Sequence, residues 1–297
     1  MKVFINGFWP DFIKGTEVNY RVFHKLFFFI FNEKIEIGEL SNSEILLESV
    51  FSENTYLNFK KWKYTFFFNG EPVKHILNKR FYRFKLIPNY DCILTNRHTN
   101  YNYKIINFPL FIAYIDSNNY YNELIQNKIR STIPEKAICA VISNNSSSHR
   151  NYILDKLEKK FKIDYAGNFR NNTKKIEGGY NTNSIINFYS QYKFVICVEN
   201  TKQETYITEK IINGFLAKTI PIYWGSNNIT DYFNENRFIN ITSLEDCIID
   251  SAINKIEEII NNNEEYLKVI KEPILKNNYF VRTIKDISSD IKELLKI

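Results

Sequence analysis

Residues 192–226 read YKFVICVENTKQETYITEKIINGFLAKTIPIYWGS, and this stretch decides the fold. Lys193-Phe194-Val195-Ile196-Cys197-Val198 is an apolar run of strand length, rich in β-branched and aromatic residues. Glu199-Asn200-Thr201 stands at its carboxyl end. Thr205 to Lys210 opens a helix, because Ile211, Ile212, Phe215 and Leu216 recur at helical spacing. Thr219 to Gly225 is a second buried strand. Strand, polar turn, helix and strand make a βαβ unit. In α/β folds ligands bind beyond the carboxyl ends of the strands and at the helix N-termini that follow. Here an acid, an amide, a phenol and a lysine occupy that place.

The same alternation extends on both sides. Upstream the spacing predicts a strand at 137–143, a loop at 144–148, a helix at 149–161 and a strand at 163–167. Past Gly178-Gly179 it predicts a helix at 184–191. Downstream come a strand at 237–241 and helices at 244–261 and 264–274. The first half predicts strands at 3–8, 34–37, 45–51, 63–68 and 91–95, with helices at 19–31, 73–81 and 117–131. Ile284, Ile287, Ile291, Leu294 and Leu295 form a final helical stripe within 281–297, expected to pack back on the first half. Pro134 breaks any helix at 131–136, so the chain divides into residues 1–134 and 135–280. Repeated βα alternation implies parallel sheets covered by helices. Two such lobes imply an enzyme with its substrates between them.

A chain of 297 residues can bury the core this requires. Its 25 Phe and 20 Tyr mark it as globular. A formal charge of +6 is compatible with an anionic ligand without demanding one. The four cysteines are far apart with no CxxC pair, so neither a zinc site nor a redox motif is signalled. Cys139 and Cys197 sit in apolar runs and read as small buried hydrophobes. The apolar run Leu26 to Phe31 is only six residues long, too short to span a membrane. A cytoplasmic location follows as an expectation, with peripheral membrane contact left open.

Three loops carry residues suited to chemistry. Around Glu199 to Lys210, a helix N-terminus and the Lys210 ammonium suit a pyrophosphate, whereas Glu209 suits sugar hydroxyls and Tyr206 can donate or stack. Each residue taken singly is equally compatible with a structural role, since an acid in a first turn simply complements the helix dipole. Asn144 to Arg150 also links a buried strand to a helix. Arg150 in a first turn runs against the dipole preference, which an anionic ligand explains and a solvated side chain explains equally well. In Phe68-Asn69-Gly70-Glu71-Pro72 a buried strand delivers a carboxylate, which serves either as a general base or as a helix cap. No GxGxxG, Walker loop, Asp-x-Asp pair or Gly-x-Ser-x-Gly elbow occurs, and the four histidines lack ligand spacing.

At these residues the chain resembles the α-1,3-fucosyltransferases of glycosyltransferase family 10, in particular the short Helicobacter-type members. The family pattern is an apolar strand, Phe-Glu-Asn, Tyr-[Val/Ile]-Thr-Glu-Lys, a helix, and a Pro-containing strand ending in Gly. Here it stands as Val198-Glu199-Asn200, Tyr206 to Lys210, and Ile220 to Gly225, with Val198 in place of the usual aromatic. Gly70-Glu71 and the Cys139-Ala140-Val141 strand followed by Arg150-Asn151 match the family in shorter stretches. The resemblance implies a GT-B fold, with two Rossmann-like lobes facing each other across a cleft. The first lobe would bind acceptor and the second GDP-fucose. The implied reaction moves fucose, with inversion, to the 3-hydroxyl of a GlcNAc or Glc unit of an oligosaccharide. Glu71 is implied as the base. Arg150, Asn200, Tyr206, Glu209 and Lys210 are implied as donor contacts, with Glu199 and Asn151 as further candidates. No metal is required on this reading, a divalent ion at most stimulating turnover, and no nucleic acid is bound. The heptad repeats and basic tail of the Helicobacter proteins are not found up to Ile297, so tail-mediated dimerisation is not carried over. Two rivals are a GT-B enzyme with another nucleotide sugar and a non-enzymatic binder of glycans or nucleic acid.

Overall fold

The computed structural model describes residues 1–9, 12, 17–51 (backbone alone at 17–20), 54–72, 87–177 and 183–297. The helix expected at 73–81 and the Gly178-Gly179 loop lie outside these residues. The chain forms two compact units. The first comprises Met1–Asn119, Glu204–Tyr206 and Arg282–Ile297, and the second comprises Tyr120–Gln203 and Ile207–Val281.

Unit 1 contains β1 (Lys2–Asn6), α1 (Glu17–Phe31), β2 (Glu36–Ile37), β3 (Ile45–Ser49), β4 (Tyr64–Asn69), β5 (Cys92–Thr95), β6 (Ile105–Asn107) and α2 (Leu110–Asn118). Its sheet runs in the order β2-β1-β3-β4-β5-β6, and every pairing is parallel. The abundance of phenylalanine finds its use here. Phe23 meets Phe68 edge-on at 5.3 Å, Phe27 meets Phe66 at 5.0 Å, and Phe68 meets Phe108 at 5.6 Å. Such pairs add to the stabilisation from apolar burial.

Unit 2 contains α3 (Tyr121–Gln126), β7 (Lys136–Ala140), α4 (Ser148–Glu158), β8 (Ile163–Tyr165), α5 (Asn183–Tyr189), β9 (Tyr192–Val198), α6 (Glu209–Leu216), β10 (Ile220–Trp224), α7 (Ile229–Tyr232), β11 (Ile239–Asn240), α8 (Asp246–Asn261) and α9 (Asn263–Lys271). Its sheet is again all parallel, in the order β11-β10-β9-β7-β8. All residues of β9 and β10 are buried, as the unbroken apolar runs require of strands covered on both faces. Gly214 lets α6 lie close on the sheet, since a Cβ there would stand 3.0 Å from Pro221 Cγ and from Val195 Cγ1.

The last helix, α10 (Ile284–Leu295), belongs to unit 1 and packs on α1. Thr283 and Asp286 close a capping box at its start, and Ile284, Ile287 and Ile291 are buried.

Three local expectations need correction. The helix read at 117–131 is instead α2 and α3, because Asn119 and Asn127 take left-handed backbone (φ 59 and 40) and end each helix. Asparagine tolerates that conformation better than other non-glycine residues. The short strand β6 lay unread between the polar residues 96–104 and the apolar run that begins at Phe108. The helix read from Thr205 begins only at Glu209, with Thr208 as its N-cap. Around the division between units, the Arg130 guanidinium donates to the carbonyls of Ser190 and Ala217, tying the segment after α3 into unit 2.

Ile287 is completely buried. Ile287→Ala should cost about 2–5 kcal/mol and shift the urea unfolding of unit 1 to lower denaturant. An unchanged midpoint would mean that α10 contributes no packing to that unit.

Candidate functional site

Unit 2 places its chain reversal between β7 and β9. The chain leaves β7 toward β8 on one side and later returns to pair β9 on the other. At such a switch point the loops beyond the carboxyl ends diverge and leave a crevice for a ligand. The two loops here are those singled out in the sequence, Ser143 to Arg150 and Glu199 to Lys210.

Arg150 joins them. Ser147 caps α4 by accepting from Arg150 N. From that first turn the guanidinium donates through Nη1 to Asn200 Oδ1 at 2.7 Å and through Nη2 to Asn144 O at 2.5 Å. Arg150 is only 4% exposed, so the reading as a solvated arginine is wrong. Asn151 donates to Asn145 O at 3.1 Å and holds the loop before the helix. Arg150 and Asn200 are thus brought together across the switch point.

Glu199 is 0% exposed. Its carboxylate accepts from Thr208 N at 2.8 Å, from Thr208 Oγ1 at 2.9 Å, and from Lys210 Nζ at 2.9 Å. Lys210 Nζ also reaches Thr208 Oγ1 at 3.0 Å, and Glu209 Oε1 stands 3.8 Å away. Burial pushes the Glu199 carboxyl above its ordinary value, while the Lys210 ammonium acts against it. Thr208 therefore does two things. Its hydroxyl caps α6 and its N–H is held by Glu199, which is why the helix cannot begin at Thr205. The sequence offers Glu199 as a further ligand contact; the geometry instead turns its carboxylate inward to fix Lys210, whose side chain remains 24% exposed. Gly225 completes the arrangement, because a Cβ there would stand 2.7 Å from Glu199 Cγ and 2.6 Å from Tyr223 Oη.

Tyr206 is buried and, with Glu204 and Thr205, belongs to unit 1. There Asn107 Nδ2 donates to Thr205 Oγ1 at 2.7 Å and His98 N donates to Glu204 Oε2 at 3.1 Å. Asn107 had no signal in the sequence beyond its place two residues before Pro109. Glu71 follows β4 in unit 1, half-buried, with its N–H donating to Asn69 Oδ1 at 2.9 Å. The chain reversal of unit 1, between β1 and β3, is occupied by its own side chains. The buried Glu48 carboxylate accepts from Asn6 Nδ2 at 2.5 Å, from Thr55 Oγ1 at 2.6 Å, from Tyr56 N at 3.0 Å and from the Tyr90 hydroxyl. Sequence reasoning missed this acid, which sits inside an apolar strand where alternation gives no warning.

Cys92, Cys139 and Cys197 are buried free thiols and Cys247 is exposed. Among the described residues no cluster of three or more His, Cys, Asp or Glu could hold a metal ion. No described helix is long and apolar enough to cross a membrane.

The fold is shared with solved α1,3-fucosyltransferase structures. One aligns over all of this chain and 90% of its own, with a TM-score of 0.75 at 20% identity. The same enzyme class crystallised with GDP-fucose aligns with a TM-score of 0.71. This is the GT-B type of fold, two parallel sheets flanked by helices. In sequence, the family "Glycosyltransferase family 10 (fucosyltransferase) C-term" matches residues 133–277. The α-(1,3)-fucosyltransferase of Helicobacter pylori is 36% identical over 132 residues, 44% of this chain and 26% of that protein. A putative fucosyltransferase of Acanthamoeba polyphaga mimivirus is 34% identical over 155 residues, 50% of this chain and 25% of its own. Residues 133–277 are thus similar to the C-terminal region of glycosyltransferase family 10 enzymes. The matched stretches span about a quarter of the length of these two relatives.

Replacing Glu199 by Gln keeps the shape but removes the anion that holds Lys210. With Lys210 partly solvated, the loss should be about 1–3 kcal/mol, read as a lowered thermal midpoint. Gly225→Ala should destabilise by a similar amount, about 1–3 kcal/mol, by displacing Glu199 and Tyr223. Wild-type midpoints in both variants would remove the buried carboxylate from this account.

Proposed function

We propose that the chain is an inverting α-1,3-fucosyltransferase using GDP-fucose. The observation that carries this reading is the Arg150–Asn200 contact across the switch point of a domain similar to family 10, beside a lysine held by a buried glutamate. A nucleoside diphosphate leaving group needs this environment. Negative charge builds on its phosphate oxygens as the glycosidic bond breaks, and fixed positive donors stabilise it. Arg150, Lys210 and the N-termini of α4 and α6 supply that charge. On this reading no metal ion is required, and Asn200, Tyr206 and Glu209 complete the donor contacts.

In the reaction, the 3-hydroxyl oxygen of a GlcNAc or Glc unit attacks C1 of the fucose from the face opposite GDP. The C1–oxygen bond to the β-phosphate breaks, and GDP departs with the electron pair. Glu71 takes the acceptor proton, inverting β-linked fucose to an α-linkage. Glu71 is half-buried, and the bond from its N–H to Asn69 Oδ1 fixes the backbone from which the carboxylate projects. General-base catalysis of this type contributes about 10²–10⁴ in rate.

Two measurements test the proposal. Glu71→Ala should lower turnover at least about 10²-fold while GDP-fucose affinity changes little; unchanged turnover would exclude Glu71 as the base. In a donor panel with one oligosaccharide acceptor, GDP release should be fast with GDP-fucose and slow with GDP-mannose and UDP-sugars. A preference for another donor would leave a GT-B glycosyltransferase with a different sugar. No release from any donor would leave a binding protein.

A further inference from the structure

Glu204, Thr205 and Tyr206 stand between β9 and α6 in the sequence, yet they belong to unit 1. Two bonds hold them there, both just beyond the carboxyl ends of β5 and β6. His98 N donates to Glu204 Oε2 at 3.1 Å, at the surface. Asn107, the last residue of β6, donates through Nδ2 to Thr205 Oγ1 at 2.7 Å, and this bond is buried. Asn107 is 6% exposed and Thr205 only 1%.

Asn107 is itself fixed on several sides. Its Nδ2 also donates to Arg97 O at 2.8 Å, and its backbone N–H donates to Thr99 Oγ1 at 3.1 Å. Its carbonyl accepts from Arg282 Nε at 3.1 Å and from Arg282 Nη2 at 2.7 Å. Arg282 stands just before α10, and the same Nη2 pairs with Asp290 of that helix at 2.7 Å. The Arg97 carbonyl can only accept, so the Asn107 amide must turn Nδ2 toward it, and the second hydrogen of that nitrogen goes to Thr205. Without the Thr205 hydroxyl a buried N–H loses its acceptor. Neither Asn107 nor Arg282 lies within residues 133–277, the stretch similar to family 10.

Three residues past Thr205, Thr208 caps α6 and is held by Glu199. Tyr206 and Ile207 run between these two fixed residues. We propose that Asn107, braced by Arg282, is a positioning residue for donor binding, on the reading that places the donor diphosphate at the start of α6. By holding Thr205 it sets the path by which the chain enters that helix and presents Lys210. Thr205 is too deeply buried to touch the donor, so its hydroxyl acts through position. A segment released from Asn107 spends part of its time outside the binding arrangement, and the apparent affinity falls by that fraction.

Calorimetry with GDP, well below the unfolding range, tests this. Thr205→Val keeps the shape and removes the acceptor; it should weaken GDP binding about three- to tenfold. Thr205→Ser keeps the hydroxyl and should bind GDP as the wild type does. Asn107→Ala should lose at least as much as Thr205→Val, and the two combined should be little weaker than Asn107→Ala alone. A purely structural role would lower the thermal midpoint and leave the GDP affinity of the folded protein intact. Ile287→Ala, which destabilises the same unit without touching these bonds, is the comparison and should bind GDP normally. Wild-type affinity in Thr205→Val, or an equal loss in Ile287→Ala, would overturn the positioning role and leave the donor reading in place. A wild-type chain that binds no GDP would overturn the donor reading and the positioning role with it. If Asn107→Ala does not fold, the Thr205 variants decide.

Discussion

The site in unit 2 depends on one interaction, the buried carboxylate of Glu199 with Thr208 and Lys210. A charged side chain with no exposure must be compensated or the fold pays for it. Glu199 is compensated by the two groups whose position matters, the N-cap of α6 and the lysine two residues on in its first turn. The strand end, the helix start and the cation are thereby set by one side chain. Gly225 is required because nothing larger fits against Glu199. The tight approach of α6 through Gly214 fixes the rest of the helix on the sheet.

The two units share a parallel architecture but treat their chain reversals in opposite ways. In unit 1 the reversal between β1 and β3 is filled by Glu48 and its four donors, all from the same unit. In unit 2 the corresponding place is framed by Arg150, Asn200 and Lys210. A carboxylate inside and cations framing the rim make the second reversal the one suited to an anionic ligand. Glu71 instead lies beyond β4, away from the unit 1 reversal, as a separate feature of that unit.

Much of the fold was legible in residues 192–226. Two apolar strands and an amphipathic helix identify themselves by periodicity, and β9, α6 and β10 lie within a few residues of the reading. Elements ended by asparagine in left-handed backbone were not legible, because Asn119 and Asn127 look like ordinary polar helix residues. In the site, Arg150 was legible as an anomaly against the helix dipole. What its guanidinium does instead, spanning to Asn200, depends on two strands distant in sequence becoming neighbours. The inward turn of Glu199 was hidden for the same reason: sequence shows an acid after a strand, but burial is a property of the packed sheet. Asn107 and Glu48 belong to the same class, polar residues whose partners come from elsewhere in the chain.

The central claim is that Glu199 and Lys210 act as one unit in holding the diphosphate of the donor. A double-mutant cycle on GDP affinity, with Glu199→Gln, Lys210→Met and the two combined, measures it by calorimetry. Each single change should weaken GDP binding by roughly tenfold or more, and the double variant should be little weaker than either. That non-additivity is the signature of coupled partners. Fully additive losses, or a Glu199→Gln variant that binds GDP as the wild type does, would contradict the account.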